Sequence, residues 1–213
     1  PIPRRQRQMC IRDSPSGDIK IDFLNFKKDT DYEKISNNYH FYYNQNPINS
    51  IFSLRLEWGI GKYENNSLSF ATSFGSMIGN EQYTFNEFKE ELQKIGATVD
   101  FFSTMNHTGI NIKGFDKHFK KTIELTGSFL GSMKIRKNDK KKLKKLIQGS
   151  VIDRKFESTD ASAKSDALKQ YAIWGQKSDY LTRPTVKEVK RMKGDFLVDQ
   201  IKDAMKVETT VFY

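Results

Sequence analysis

The chain has 213 residues, a formal net charge of +10 and a single cysteine, Cys10. That length allows one large domain or two small ones and is enough to bury a core, while one thiol excludes both an internal disulfide framework and a cysteine-rich zinc site. With 37% hydrophobic and 29% charged residues it reads as a folded chain rather than a disordered one, and no apolar run approaches the ~18 residues that a membrane-spanning helix requires.

Residues 1–14, PIPRRQRQMCIRDS, carry Arg4, Arg5, Arg7 and Arg12 in a chain that otherwise prefers lysine. RRQRQMCIRDS resembles translated sequencing-adapter sequence. The expectation is therefore a tail over 1–17, unstructured or artefactual, ahead of a single domain over 18–213. The first residue is Pro1 rather than Met, and the chain closes on an apolar stretch, Val207–Tyr213. Both ends are thus expected to be cut from a longer protein, truncating the domain at its C-terminal side.

Asp18–Phe26 alternates apolar and polar residues as a half-buried strand does. Asn38–Tyr43 is short, aromatic and bounded by Asn-rich turns, which predicts a second strand. Ile51–Trp58 alternates cleanly and is closed by Gly59 and Gly61. Leu68–Ile78 predicts an apolar helix stopped by Gly79–Asn80, two residues that tolerate left-handed backbone. Thr84 followed by Glu87 is a capping-box pattern, and Phe85, Phe88, Leu92 and Ile95 fall on one face of the helix it opens. Gly96 stops that helix. Thr98–Ser103 and Gly109–Lys113 read as strands around a polar turn.

A long amphipathic helix is expected over Asp116–Leu130, with Gly127 and Gly131 at a close packing. A basic helix over Lys140–Phe156, capped by Asn138 or Asp139, follows, and then a helix over Ala161–Trp174. Pro184, Thr185 and Glu188 mark another helix start. Phe196–Ala204 is helical, and Val207–Tyr213 is a final strand. This order predicts an α+β fold: a mainly antiparallel sheet with helices packed on one face.

Little of the chemistry-bearing inventory clusters. His40, His107 and His118 lie in a strand, a turn and a helix start, and none has a second His or a carboxylate at metal-ligand spacing. Ser73 and Ser76 have no local base, which argues against a serine nucleophile. Gly59 and Gly61 lack the spacing and the following Lys-Ser/Thr pair of a phosphate loop. Lys137, Lys140, Lys141, Lys142, Lys144 and Lys145 suggest nucleic acid first. Leu143, Leu146, Ile147 and Val151 form an apolar stripe through the same helix, however, so the lysines read as its solvated face. Lysine also lacks the planar fork with which arginine grips phosphate and bases. The partner expectation is no nucleic acid and no membrane, with a basic nucleic-acid-binding domain kept as the lesser alternative.

The order strand, Gly turn, apolar helix, Gly–Asn stop, amphipathic helix, Gly–Ala and strand pair across Ile51–Phe102 resembles the insulinase/pitrilysin family of zinc metallopeptidases. YAIWG at 171–175 and VETTVFY at 207–213 resemble the later helix and closing strand of the same domains. In that family the helix ending at the Gly stop carries His-x-x-Glu-His. Counting back from Gly79 places the first His on Phe70, the Glu on Ser73 and the second His on Phe74. Two imidazoles one helical turn apart can hold one zinc while the Glu activates water; phenylalanine offers no donor atom and serine is a poor base. Residues 137–156, where a third, carboxylate ligand is expected, contain only Asp139 and Asp153.

The resemblance therefore implies a degenerate domain from the C-terminal half of such a peptidase. It implies no catalytic residue, no metal and no cofactor in this segment, and zinc in the catalytic half of the parent protein. The implied partners are that catalytic half, in the same or a partner chain, and a peptide substrate. A standalone structural or assembly subunit of the same fold, as in the non-catalytic partners of mitochondrial processing peptidase and respiratory-complex core subunits, is the alternative. Resemblance to exported bacterial members points to the periplasm or cell envelope.

Overall fold

A computed structural model describes residues 25–213. Residues 25–30 belong to one compact unit and Asp31–Tyr213 to another. In the first, helix α1 (Phe26–Asp29) follows Asn25, whose N–H donates to the Asp29 carboxylate at 2.7 Å. The strand expected over Asp18–Phe26 lies outside the described residues except at its end, where Phe26 is helical.

The second unit holds a six-stranded sheet in the order β1-β2-β6-β3-β5-β4. Its strands are β1 (Asp31–Ser36), β2 (Tyr39–Tyr43), β3 (Ile51–Trp58), β4 (Thr98–Ser103), β5 (Thr108–Phe115) and β6 (Thr209–Phe212). Every neighbouring pair is antiparallel except β2 and β6, which run parallel. The α+β fold with a mainly antiparallel sheet is thus the fold observed.

Register explains which face is buried. Opposite residues share a face, so the pairings Phe52↔Gly114, Leu54↔Ile112 and Leu56↔Ile110 put one apolar row inside. Val99 opposite Ile112 extends that row onto β4. Ser53, Arg55, Glu57 and Lys113 fall on the other face. There Arg55 pairs with Glu57 at 2.6 Å and lies over the Phe102 ring.

Eight α-helices are described in this unit, and the first three and the last close over the apolar face. The eight are α2 (Leu68–Gly75), α3 (Phe85–Lys94), α4 (Phe119–Gly131), α5 (Asp139–Glu157), α6 (Ala161–Trp174), α7 (Asp179–Thr182), α8 (Val186–Arg191) and α9 (Gly194–Ala204). Leu68, Phe74, Phe88, Phe129, Leu197 and Ile201 are the large side chains they seal against the sheet. Burying each contributes roughly 1.5–3 kcal/mol relative to exposure. Phe88 and Phe129 stack with ring centroids 3.9 Å apart, joining α3 to α4.

Local signals act as expected at several helix ends. Thr84 and Glu87 form a reciprocal capping box on α3, and Thr185 and Glu188 form one on α8. Gly96 ends α3 at φ +66°, a conformation that glycine adopts without strain. Gly79 acts otherwise. Its φ is not positive; a Cβ there would meet the Tyr83 carbonyl oxygen at 2.1 Å, so close approach of the chain, not handedness, requires glycine. Gly127 and Gly131 also depart from expectation, since a Cβ at either meets open space. The helix expected from Asp116 begins as a 3₁₀ turn, Asp116–His118, before α4.

Candidate functional site

Helix α2 carries the three positions of interest. Asn65 prepares its start, its side-chain oxygen accepting from the Ser67 N–H at 3.1 Å and from the Ser67 hydroxyl. Beyond its end, buried Asn80 accepts from the backbone N–H groups of Gln82 and Tyr83 and donates to the Ser132 hydroxyl. Arg136 Nε donates to the Asn80 carbonyl at 2.7 Å. The stop after α2 is therefore a tie to the segment joining α4 and α5.

The three positions diverge. Phe74 is fully buried in the core, where Gly194 and Ile135 crowd so closely that a Cβ on Gly194 would lie 2.5 Å from Ile135 Cδ1 and 3.3 Å from the Phe74 ring. Phe70 packs against the core but stays half-buried. Ser73 is exposed and its hydroxyl donates back to the Ser69 carbonyl at 2.9 Å. Phe70 and Phe74 therefore do not share one apolar enclosure.

Phe70 and Ser73 open onto a groove of about 680 Å³ between α2 and α5, whose far side carries Lys145, Leu146 and Asp153. The N-terminal end of α5 is fixed there by Lys142, which donates to the Met77 carbonyl at 2.6 Å and pairs with Asp139 at 2.8 Å. Asp139 is buried and accepts the Arg136 N–H at 2.9 Å. Of the two carboxylates expected on this helix, only Asp153 reaches the groove, with no imidazole among the groove residues. Among the described residues, no three His, Cys, Asp or Glu side chains gather as a metal-binding group.

Phe70, Ser69 and Ser150 also line a second cavity of about 220 Å³, so the two adjoin. Its wall includes Lys62, Arg154, Asp179 and Arg183. Arg183 makes a two-point contact with the Glu157 carboxylate and stacks 4.5 Å over the Tyr180 ring. The hydrogen bond from Arg183 holds the Glu157 carboxyl below the ordinary carboxylate range. Lys62 stands 3.7 Å from Asp179. Partial burial first, and then the Arg183 charge, pull the Arg154 guanidinium below its ordinary pKa.

The histidines stay apart. His40 contacts Glu208 at 3.2 Å and the Tyr32 hydroxyl at 2.9 Å, neighbours that sequence spacing did not place. The His107 backbone serves the β4–β5 turn through Thr104, and the His118 carbonyl accepts from Thr122. The Arg154 cavity was also missed from sequence; the signal for it is an arginine within a helix otherwise rich in lysine.

No family model matches the chain, and no curated protein matches it. Solved structures do. A mutant of the ferredoxin protease FusC in complex with Arabidopsis ferredoxin matches with a TM-score of 0.70 at 10% identity, over 89% of this chain and 21% of that one. The peptidase M16 inactive domain from Pseudomonas fluorescens matches at 0.67 and 11% identity, over 86% and 45%. The periplasmic protease PqqL from Escherichia coli matches at 0.66 and 10% identity, over 87% and 22%. This chain thus spans from about a fifth to under half of each of those chains. The likeness is one of fold: the domain has the architecture of the peptidase M16 inactive domain.

Proposed function

We propose that this M16-like domain is a non-catalytic part of a zinc endopeptidase or oligopeptidase, forming one wall of an enclosed peptide chamber. Zinc and hydrolysis belong to a catalytic half in the same or a partner chain. The observation that carries the reading is Phe70 and Ser73 lining the groove between α2 and α5, in a fold shared with an inactive peptidase domain. A phenyl ring has no lone pair for a metal, and the Ser73 hydroxyl is engaged with its own helix. What remains is a groove able to hold a peptide rather than cleave it.

Among the described residues the sheet has two edge strands, β1 and β4, and they differ. β1 carries Asp31, Glu33 and Lys34, with a register shift between Lys34 and Ser36; charges and bulges of this kind discourage strand pairing. β4 (TVDFFS) pairs with β5 without a shift and carries one charge. Strand addition is therefore assigned to the β4 edge. An exported location belongs to the same proposal, supported by the periplasmic neighbour. Among the described residues no helix is long and apolar enough to cross a membrane.

The test is zinc analysis of the purified, dialysed chain, paired with a hydrolysis assay on a mixed peptide library. Neither stoichiometric zinc nor cleavage is expected. Zinc retained at one per chain would overturn the assignment of Phe70, Ser73 and Phe74 as replaced positions. Genomic sequence then decides between the two arrangements: His-x-x-Glu-His in the same reading frame makes this a domain of the peptidase, and its occurrence in a separate gene makes it a partner subunit.

A further inference from the structure

The cavity beside Phe70 has a charge imbalance that its own residues do not resolve. Of its cations, Arg183 is held by Glu157 and Lys62 faces Asp179. The Arg154 side chain forms no hydrogen bond or ion pair among the described residues; Arg183, of the same charge, lies near it, and the carboxylates of Glu157 and Glu188 act on it only without contact. A partly buried guanidinium in this position loses solvation and is repelled by Arg183, yet arginine stays protonated in proteins. An arriving anion would relieve both penalties. Arginine's planar fork matches a carboxylate with two parallel hydrogen bonds.

The surroundings say what the anion is attached to. Phe70, Ser69 and Ser150 are shared with the larger groove, where Met77, Phe85 and Leu146 supply an apolar lining. A ligand that reaches Arg154 along this path passes that apolar lining.

We propose that the Arg154 cavity binds a peptide carboxylate, with Lys62 beside it, while the adjoining groove past Phe70 takes the apolar side chain next to that carboxylate. This rests on the reading of the domain as a wall of a peptide chamber. Arg154 is a binding residue in it, not a catalytic one. The carboxylate has two sources, a peptide C-terminus or an acidic side chain.

Calorimetric titration of the full chain with three synthetic peptides separates them. One is an acetylated pentapeptide ending in leucine with a free carboxyl. The second is its C-terminal amide. The third is an amide with glutamate placed after the leucine. The neutral amide should bind at least about tenfold more weakly than a carboxylate-bearing peptide, as expected for a charge-assisted hydrogen bond lost. Preference for the first peptide over the third assigns the site to C-termini; the reverse assigns it to acidic side chains. Arg154→Ala should erase the carboxylate preference and Arg154→Lys should keep part of it. Both variants should melt like the parent, because Arg154 holds no internal partner. Equal binding of all three peptides, or an unchanged preference in Arg154→Ala, overturns the carboxylate site and leaves the chamber reading standing. Failure of every peptide to bind removes the chamber reading and this site with it.

Discussion

One helical turn separates Phe70 from Phe74, and the two rings meet different surroundings. Phe74 is enclosed by the core and by the close approach of Gly194, whereas Phe70 forms part of the wall of two cavities. Truncation should therefore separate them. Phe74→Ala is expected to lower stability by about 3–5 kcal/mol through lost burial and a residual void, and Phe70→Ala by about 1 kcal/mol. Urea unfolding of the two variants checks this. Equal losses would mean that Phe70 is as deeply packed as Phe74. The sequence alone placed the two one helical turn apart at the positions of the two His, and a helical repeat gives direction but not depth. It also left Arg154 unremarked, since the lack of a partner is a property of the fold and of no motif.

At the scale of elements, the C-terminal end of α5 is held to the segment between α7 and α8 by Glu157 and Arg183. The Glu157 side chain is about a third exposed, so the pair should contribute about 1 kcal/mol, the range of a surface pair with good geometry. The folded carboxyl titrates below its unfolded value, ~4.3. Its contribution is therefore complete above that pH and is lost as pH falls through the lower, folded value. Glu157→Gln should be less stable than the parent at neutral pH, and the difference should close in acid. A stability gap that persists at low pH would show that the loss is one of packing. Strands β3 and β4 and helix α6 were legible to the residue, because alternation marks β3, a glycine stop at Gly96 precedes β4, and Asp160 and Gly175 bound α6. β1 was not. Every residue of DYEKIS is exposed, so no apolar alternation marks it, and only hydrogen bonding to β2 makes it a strand.

Across the whole molecule, burial is uneven. The sheet and the helices α2, α3, α4 and α9 share the buried core, whereas α6 buries none of its residues and leaves Leu168, Ile173 and Trp174 exposed. Local opening needs little free energy where few apolar groups are buried. Amide hydrogen exchange should therefore be early across 161–174 and late across β3 and β5. Uniform protection would require α6 to be covered in solution. Strand order was beyond the sequence for a related reason: periodicity tells which side chains are apolar but not which strands adjoin, and β6 pairs with residues more than 150 positions away.

That last pairing also orders events during synthesis. β6 lies between β2 and β3, bonded in parallel to one and antiparallel to the other. Until residues 209–212 have left the ribosome, the β1–β2 hairpin has no strand to join and β3 has an open flank. The sheet therefore exists in two separate pieces while residues 59–208 are made. Its middle is filled by a segment made more than 150 residues after β3, and the nascent chain carries two adhesive edges until then.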